Sequence, residues 1–413
     1  MSHTRHPESP ERFVLTFGPD DDDPELVERT IILPPDFPYM ELRSIGEMLE
    51  ADGILVPGYR PPPVGLCHPD AFIFEANFED IQTILLPDRN IVSRMAKIVS
   101  GAAMDATLRK IAAIKAYCHF LDIQIDPSIA FHELAQTQGN EAANLELARF
   151  RDADNADPHP WLDLAFGNLD ALDPMAPQHS LESHDLAFPL RRWRRNYIAA
   201  LKIAELELSG RENLDRMLDL LLWMRNDFII AGPAALLACI YFAPNSPPRK
   251  GLFKQLRSPN RLRAIDGVRN AAWDLTHLSE LIRNVNETNG SQTRLLFASF
   301  DEGLRNLARL LFTFSAENFS EEHLVEALAP WWSRTHAKHI AKCFIDLLAD
   351  LDDENRKQRQ ASSPTSIDEM IRRGEQILFF TPGASRTEKR GGGLHYSSAS
   401  QPRSSSNRNG GSE

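Results

Sequence analysis

The chain has 413 residues, of which 42% are hydrophobic and 25% are charged, a composition typical of a soluble globular protein with a sizeable core. The formal net charge of -13 argues against a protein that binds nucleic acid nonspecifically over its whole surface, because such binding depends on Lys and Arg that neutralise phosphates. A nucleic-acid ligand must therefore bind at a local basic patch. The four cysteines have neither metal-ligand nor disulfide-scaffold spacing, so we expect a reducing, cytoplasmic location.

The first 75 residues alternate short apolar runs with clusters of Pro and Asp. This pattern predicts an irregular N-terminal extension over 1–75, with a few short strands and one helix at Met40–Asp52. The chain begins with polar residues and lacks the apolar core of a secretion signal, so export is not expected. We assign no chemistry to this extension.

Residues 76–150 predict the first part of an α/β domain. The segment TILLPDRNIV is typical of a buried strand that ends at Asp88. Apolar residues recur at helical intervals from Ile98 to Leu121, and the extended segment IQID follows before a helix that carries Glu133. Strand, helix and strand in this order indicate a parallel α/β sheet.

Residues 151–245 predict a mostly helical insertion, because apolar residues recur every three to four positions between Gly and Pro breaks. Helices inserted between two parts of a sheet usually form a cap beside it. The apolar run Phe228–Ala243 is too short to cross a bilayer and is interrupted by Gly232 and Pro233, so it predicts a buried helix and no membrane contact.

Residues 246–315 predict the second part of the α/β domain, and residues 316–352 predict C-terminal helices. From residue 353 to 413, Ser, Arg, Gly, Asn and Gln dominate, and such a composition buries too little apolar surface to offset the entropy of ordering. We expect a largely disordered tail. Within it, the segment IDEMIRRGEQILFF predicts a short helix that can dock on the body of the protein.

Four acidic residues follow strand-like segments or start helices, namely Asp88, Glu133, Asp274 and Asp301. Each one alone is more typical of a turn or a helix cap than of catalysis. Together they form an ordered set, and carboxylates at the carboxyl ends of parallel strands converge at one edge of a sheet. The set therefore predicts a shared acidic site.

The order and local contexts of these residues resemble the PIN-domain family of metal-dependent nucleases. The resemblance covers about Phe78 to Phe150 and about Gly267 to Leu311. It implies a central parallel sheet flanked by helices, an acidic residue that closes the first strand, a glutamate on the helix after the second strand, and two late aspartates. It further implies that the four carboxylates are catalytic and bind Mg²⁺ or Mn²⁺, with Asn270 and Ser299 as supporting residues.

Basic side chains cluster in two places that are suited to phosphate contacts. One is Arg191–Arg195, for which a solvated helix face is the favoured interpretation. The other leads directly toward Asp274, and we expect it to form the substrate groove. Its predicted substrate-binding residues, together with the two supporting residues, are Lys254, Arg257, Arg261, Arg263, Arg269, Asn270 and Ser299. A solvated face is an equal alternative for this second cluster.

The predicted function is hydrolysis of phosphodiester bonds in RNA, preferred over DNA, or in other single-stranded nucleic acid. The alternative is a noncatalytic protein-interaction scaffold built on a degenerate nuclease-like fold. A third hypothesis is a toxin-like ribonuclease that is inhibited by a partner protein. A regulatory partner protein and a homodimer both stay open. The chain contains no phosphate loop, dinucleotide-binding glycine motif, zinc-protease helix or serine-hydrolase elbow.

Overall fold

The structure is a computed structural model, and it describes residues 14–17, 29–173, 183–246, 253–288, 290–315, 320–349 and 366–382. The protein has a mixed α/β fold that is mostly helical, with a small mixed sheet flanked by helices. No helix in these ranges is both long enough and apolar enough to cross a membrane.

Six strands and fifteen helices can be placed in the described ranges. The strands are β1 (Val14–Phe17), β2 (Arg29–Ile32), β3 (Leu55–Pro57), β4 (Gln82–Pro87), β5 (Gln124–Ile125) and β6 (Thr293–Ala298). The helices within residues 29–173 are α1 (Tyr39–Asp52), α2 (Pro69–Phe78), α3 (Arg89–Ile98), α4 (Ala106–Phe120), α5 (Ser128–Gln138), α6 (Asn140–Asp154) and α7 (Pro158–Phe166). The later helices are α8 (Arg191–Leu208), α9 (Asn213–Asn226), α10 (Gly232–Tyr241), α11 (Arg261–Thr288), α12 (Glu302–Ser315), α13 (Glu321–Leu328), α14 (Arg334–Ala349) and α15 (Ile367–Phe380).

The main sheet has the strand order β3-β6-β4-β5. Strand β4 is parallel to both β6 and β5, whereas β3 pairs with β6 in the antiparallel direction. The sheet is therefore mixed, where an entirely parallel sheet was expected. The antiparallel member is a three-residue strand at the sheet edge, and antiparallel edge strands are common on otherwise parallel sheets.

The sheet separates two hydrophobic cores because successive side chains of a strand point to opposite faces. In β6, Leu295 and Phe297 pack into the core formed with α8–α15. The alternate residues, Leu296 and Ala298, pack into the core formed with α1–α7. Helices α8, α9 and α10 of the predicted insertion thus join α11 and α12 on one face of the sheet, whereas α7 packs into the core on the other face.

Part of the predicted N-terminal extension belongs to the sheet layer. The predicted helix is present as α1, and β3 follows it to pair with β6. The apolar recurrence from Ile98 to Leu121 predicted one helix, but the structure has a break between α3 and α4. The Oδ1 atom of Asp105 accepts a 2.7 Å hydrogen bond from the Leu108 amide, so this residue caps a new helix.

The apolar run of the insertion forms the buried helix α10. The helix predicted within the tail is α15, which packs on α8 and α11. The Tyr197 hydroxyl donates a 2.7 Å hydrogen bond to Glu375, and Leu378 is buried against the same helices. The prediction of disorder concerns residues 353–365 and 383–413, which lie outside the described residues.

Candidate active site

The candidate site begins where two neighbouring parallel strands end. Pro87 of β4 is in register with Ala298 of β6, and the Asp88 amide donates a 2.9 Å hydrogen bond to the Ala298 carbonyl. Asp88 and Ser299 are the next residues on the two strands. Parallel pairing therefore places their side chains next to each other at the carboxyl edge of the sheet.

Asp88 uses both carboxyl oxygens in hydrogen bonds. Its Oδ1 atom caps α3 by accepting a 3.1 Å bond from the Ile91 amide, and its Oδ2 atom accepts a 2.5 Å bond from the Ser299 hydroxyl. Only 3% of Asp88 is exposed. Burial raises the pKa of this carboxyl, although the Ser299 hydrogen bond and the charge of His277 act in the opposite direction.

Ser299 also connects Asp88 with Asp301. Its hydroxyl oxygen accepts a 2.9 Å hydrogen bond from the Asp301 amide while it donates to Asp88. Asp301 in turn caps α12, because its Oδ1 atom accepts a 3.1 Å bond from the Leu304 amide. The Arg305 guanidinium donates to the Ser299 carbonyl at 2.9 Å and braces this turn.

Glu133 lies on α5 and meets α11 through a histidine. The Nε2 atom of His277 lies 3.2 Å from a carboxyl oxygen of Glu133. Burial lowers the pKa of His277, but the hydrogen bond to Glu133 and the charges of Glu133, Asp88 and Asp274 outweigh it, so the net effect raises this pKa. When it is protonated, the ring supplies positive charge beside Glu133.

Asp274 lies one turn before His277 on α11. Its pKa is raised to about 7, first by burial and then by the negative charges of Glu133 and Asp301. The charges of Glu133, Asp88 and Asp274 all act on His277, which lies between these carboxylates in charge terms. Within the described ranges, however, no three His, Cys, Asp or Glu side chains are arranged as a group that could hold a metal ion.

Lys254 supplies a cation on the Asp274 side of the site. Its positive charge lowers the pKa of Asp274 and opposes the effect of burial. The Lys254 backbone runs against α11 at Gly267, where a Cβ atom would lie 1.8 Å from the Lys254 carbonyl oxygen. Gln255, the next residue, has a positive φ of 58°. The position of Lys254 therefore depends on a close backbone contact that only glycine permits.

Three arginines of the predicted substrate groove have structural partners. Arg257 donates a 2.7 Å hydrogen bond to the buried carboxylate of Glu207. Arg261 donates bonds of 3.0 and 3.1 Å to a backbone carbonyl near the end of α15. Arg269 pairs with Glu375 of the same helix at 2.8 Å. These contacts join the three arginines to α8 and α15, and a role for them in substrate binding stays a prediction.

Two further residues of the predicted groove are exposed on α11. The side chain of Arg263 has no ion-pair partner among the described residues. Asn270 lies one turn before Asp274, so helical spacing places both residues on the same face. That face also contains Gly267 and therefore leads from Lys254 to the carboxylates.

His277 is the residue of this site that the sequence prediction missed. The available signal was its spacing of three from Asp274 within a helical segment, which places both side chains on one face of α11. Hydrogen bonds link Asp88 to Ser299 and Ser299 to Asp301, and His277 contacts Glu133. Three of the predicted arginines instead bond to groups of the protein itself, which are Glu207, the Leu378 carbonyl and Glu375. Compared with known proteins, the chain matches no family model, no curated protein and no solved structure.

Proposed function

We propose that this protein is a PIN-like, divalent-metal-dependent nuclease that hydrolyses phosphodiester bonds in RNA or single-stranded nucleic acid. The observation that supports the proposal is geometric: Ser299 bonds to both Asp88 and Asp301, and His277, one turn after Asp274, contacts Glu133, so that residues from separate parts of the chain are linked. The parallel order β6-β4-β5 agrees with a PIN-like sheet to which β3 adds an edge.

The donor set fits a hard dication such as Mg²⁺ or Mn²⁺, which prefers carboxylate oxygens. The four predicted ligands are Asp88, Glu133, Asp274 and Asp301. When bound, such an ion neutralises phosphate charge and lowers the pKa of a water molecule. Crowded carboxylates also repel each other, as the raised pKa of Asp274 illustrates, and a cation relieves this cost. Within the described residues no three such side chains form a group that could hold an ion, so binding one would require these carboxyl groups to lie closer together than they do.

The other residues of the site orient the carboxylates and balance their charge. Ser299 fixes the buried carboxyl of Asp88, and His277 fixes that of Glu133. Lys254 is exposed beside Asp274, so its ammonium group is available to a phosphate of the substrate. These residues provide orientation and charge balance before any substrate binds.

A noncatalytic interaction scaffold is the second candidate function. It is favoured by the lack of a group that could hold a metal ion within the described part of the chain. In that case the carboxylates of Asp88 and Asp301 act only as the helix caps that they already form. The two candidates differ in their response to divalent ions, because only the enzyme requires tight binding of such an ion.

The test is cleavage of single-stranded RNA in Mg²⁺ or Mn²⁺ by the full chain and by Asp88→Asn and Asp301→Asn. We expect each variant to lose at least about 100-fold in rate, since a lost ligand removes charge stabilisation in the transition state. Asp157→Asn is the matched control, because Asp157 also caps a helix but interacts with His159 and His119. Undiminished cleavage by both site variants would overturn the proposal.

A further inference from the structure

Residues 184–190, which we name the strap, are held against α5 and α6 by side-chain amides. Asn140 and Asn144 both donate to the His184 carbonyl, at 2.8 and 2.9 Å. The same two side chains accept from backbone amides, Asn144 from His184 and Asn140 from Leu186, each at 2.8 Å. Four bonds from two asparagines thus hold the backbone of an irregular segment.

Two side chains of α5, the helix that carries Glu133, also bond to the backbone of the strap. His132 donates a 2.9 Å hydrogen bond to the Leu186 carbonyl, and Gln136 donates to the Ala187 carbonyl at 2.5 Å. His132 directly precedes Glu133 in α5. Side chains of α5 thus hold the strap up to the residue before Phe188, and α5 is the helix that carries Glu133.

Phe188 is presented to solvent by this fixed backbone. The residue is 47% exposed, and its ring lies 5.0 Å from the His132 ring in a T-shaped arrangement of 81°. Single exposed apolar residues are common on proteins, so exposure alone decides nothing. The informative combination is an exposed aromatic ring, a backbone held by six hydrogen bonds, and a contact one residue away from Glu133.

Two exposed cations follow the strap at the start of α8. Arg191 and Arg195 are one helical turn apart, and neither has an ion-pair partner among the described residues. The arginines between them are used differently, because Arg192 pairs with Glu280 and Arg194 pairs with Asp368. Arg191 and Arg195 are therefore the two exposed arginines of this cluster.

We propose that Phe188, on a strap bound to the helix that carries Glu133, is a base-stacking platform and that Arg191 and Arg195 contact the backbone of the same strand. The ligand is a single-stranded nucleic acid, because the faces of its bases are open to stacking, whereas those in a duplex are covered by neighbouring bases. This inference rests on the proposed nuclease function and assigns the surface that selects single strands.

The experiment measures binding of fluorescent oligonucleotides by the full chain carrying Asp88→Asn, which keeps the ligand intact in Mg²⁺. Adding Phe188→Ala should weaken binding of single-stranded RNA by about 5- to 100-fold, the loss equivalent to one stacked base. Phe188→Trp should restore it. Phe166→Ala is the matched control, because Phe166 is also 47% exposed but lies on α7.

An abasic oligonucleotide of equal length separates stacking from charge. The Phe188→Ala change should have no effect on its binding, whereas Arg191→Ala and Arg195→Ala should weaken both ligands and flatten the salt dependence. Equal binding of single-stranded RNA by the Phe188→Ala and Phe166→Ala proteins would contradict base stacking on Phe188, even if the wild-type chain cleaves RNA. Base-dependent binding without any cleavage by the wild-type chain would instead contradict only the nuclease proposal.

Discussion

The hydroxyl group of Ser299 donates a hydrogen bond to the Asp88 carboxylate and accepts one from the Asp301 amide. One fully buried side chain therefore sets the distance between the ends of two elements that are far apart in the chain. A substitution at Ser299 should therefore remove a hydrogen bond from both Asp88 and Asp301. This relationship can be measured without any assumption about the substrate.

Replacing Ser299 by Ala should lower the free energy of unfolding by about 1.5 to 3 kcal/mol at pH 8, because the buried Asp88 carboxylate loses a donor. Under the proposed function, the cleavage rate or the metal affinity should fall by about 10- to 100-fold. Urea denaturation and a metal titration measure the two effects. Ser279→Ala is the control, since Ser279 donates to a backbone carbonyl and touches no carboxylate of the site. A Ser299→Ala protein that matches this control in both measurements would contradict the prediction.

Divalent ions should raise the melting temperature of the wild-type chain. An ion that binds only the folded state adds about 2.7 kcal/mol of stability at a concentration of 100 Kd. Thermal unfolding with increasing Mg²⁺ or Mn²⁺ measures the shift, and the double variant with Glu133→Gln and Asp274→Asn should not respond. The Asp157→Asn protein should respond like the wild type. A wild-type chain with no shift would favour the noncatalytic scaffold.

Replacing Asp274 by Asn should stabilise the metal-free protein at pH 8. The folded pKa of Asp274 is about 7, above its ordinary value of 3.8, so its favourable contribution is complete below about pH 4 and is lost as the pH rises through 7. We expect the variant to gain about 1 to 3 kcal/mol at pH 8 and progressively less toward pH 4. Urea denaturation in the presence of a chelator measures the difference.

The control for the Asp274 experiment is Asp266→Asn on the same helix. Asp266 is exposed and pairs with Arg269 at 3.3 Å, so its replacement should change stability by less than about 1 kcal/mol at either pH. A gain for Asp274→Asn that is the same at pH 8 and at pH 4 would show that ionisation of this carboxyl is not its cause.

Replacing Gly267 by Ala should destabilise the protein, although Ala is normally about 1 kcal/mol better than Gly inside a helix. The added methyl group meets the Lys254 carbonyl at 1.8 Å, so the backbone must shift at a cost of about 1 to 3 kcal/mol. Gly232→Ala is the control, because a Cβ atom there meets nothing within 4 Å. Under the proposed function, cleavage should also weaken, because the shift displaces Lys254, whose ammonium group is proposed to contact the substrate phosphate. Equal stabilities for the two glycine variants would contradict the close contact.

Much of the local structure could be predicted from short stretches of sequence. Asp88 follows a strand and starts a helix, and the chain folds locally in that way. The helix within the tail was also predicted from its own residues. By contrast, the direction of β3 and the break before Asp105 were not, because an edge strand and a helix cap both compete with alternatives of similar local energy.

The sequence by itself determined which residues carry negative charge and where strands and helices begin, since periodicity and capping depend on neighbours within a few positions. Only the tertiary structure decided that His277 pairs with Glu133, 144 positions away, and that Arg257, Arg261 and Arg269 bind carboxylates or carbonyls of the protein itself. Such partners depend on how whole helices pack against the sheet. Packing is set by the complete set of buried side chains, and no single segment contains that information.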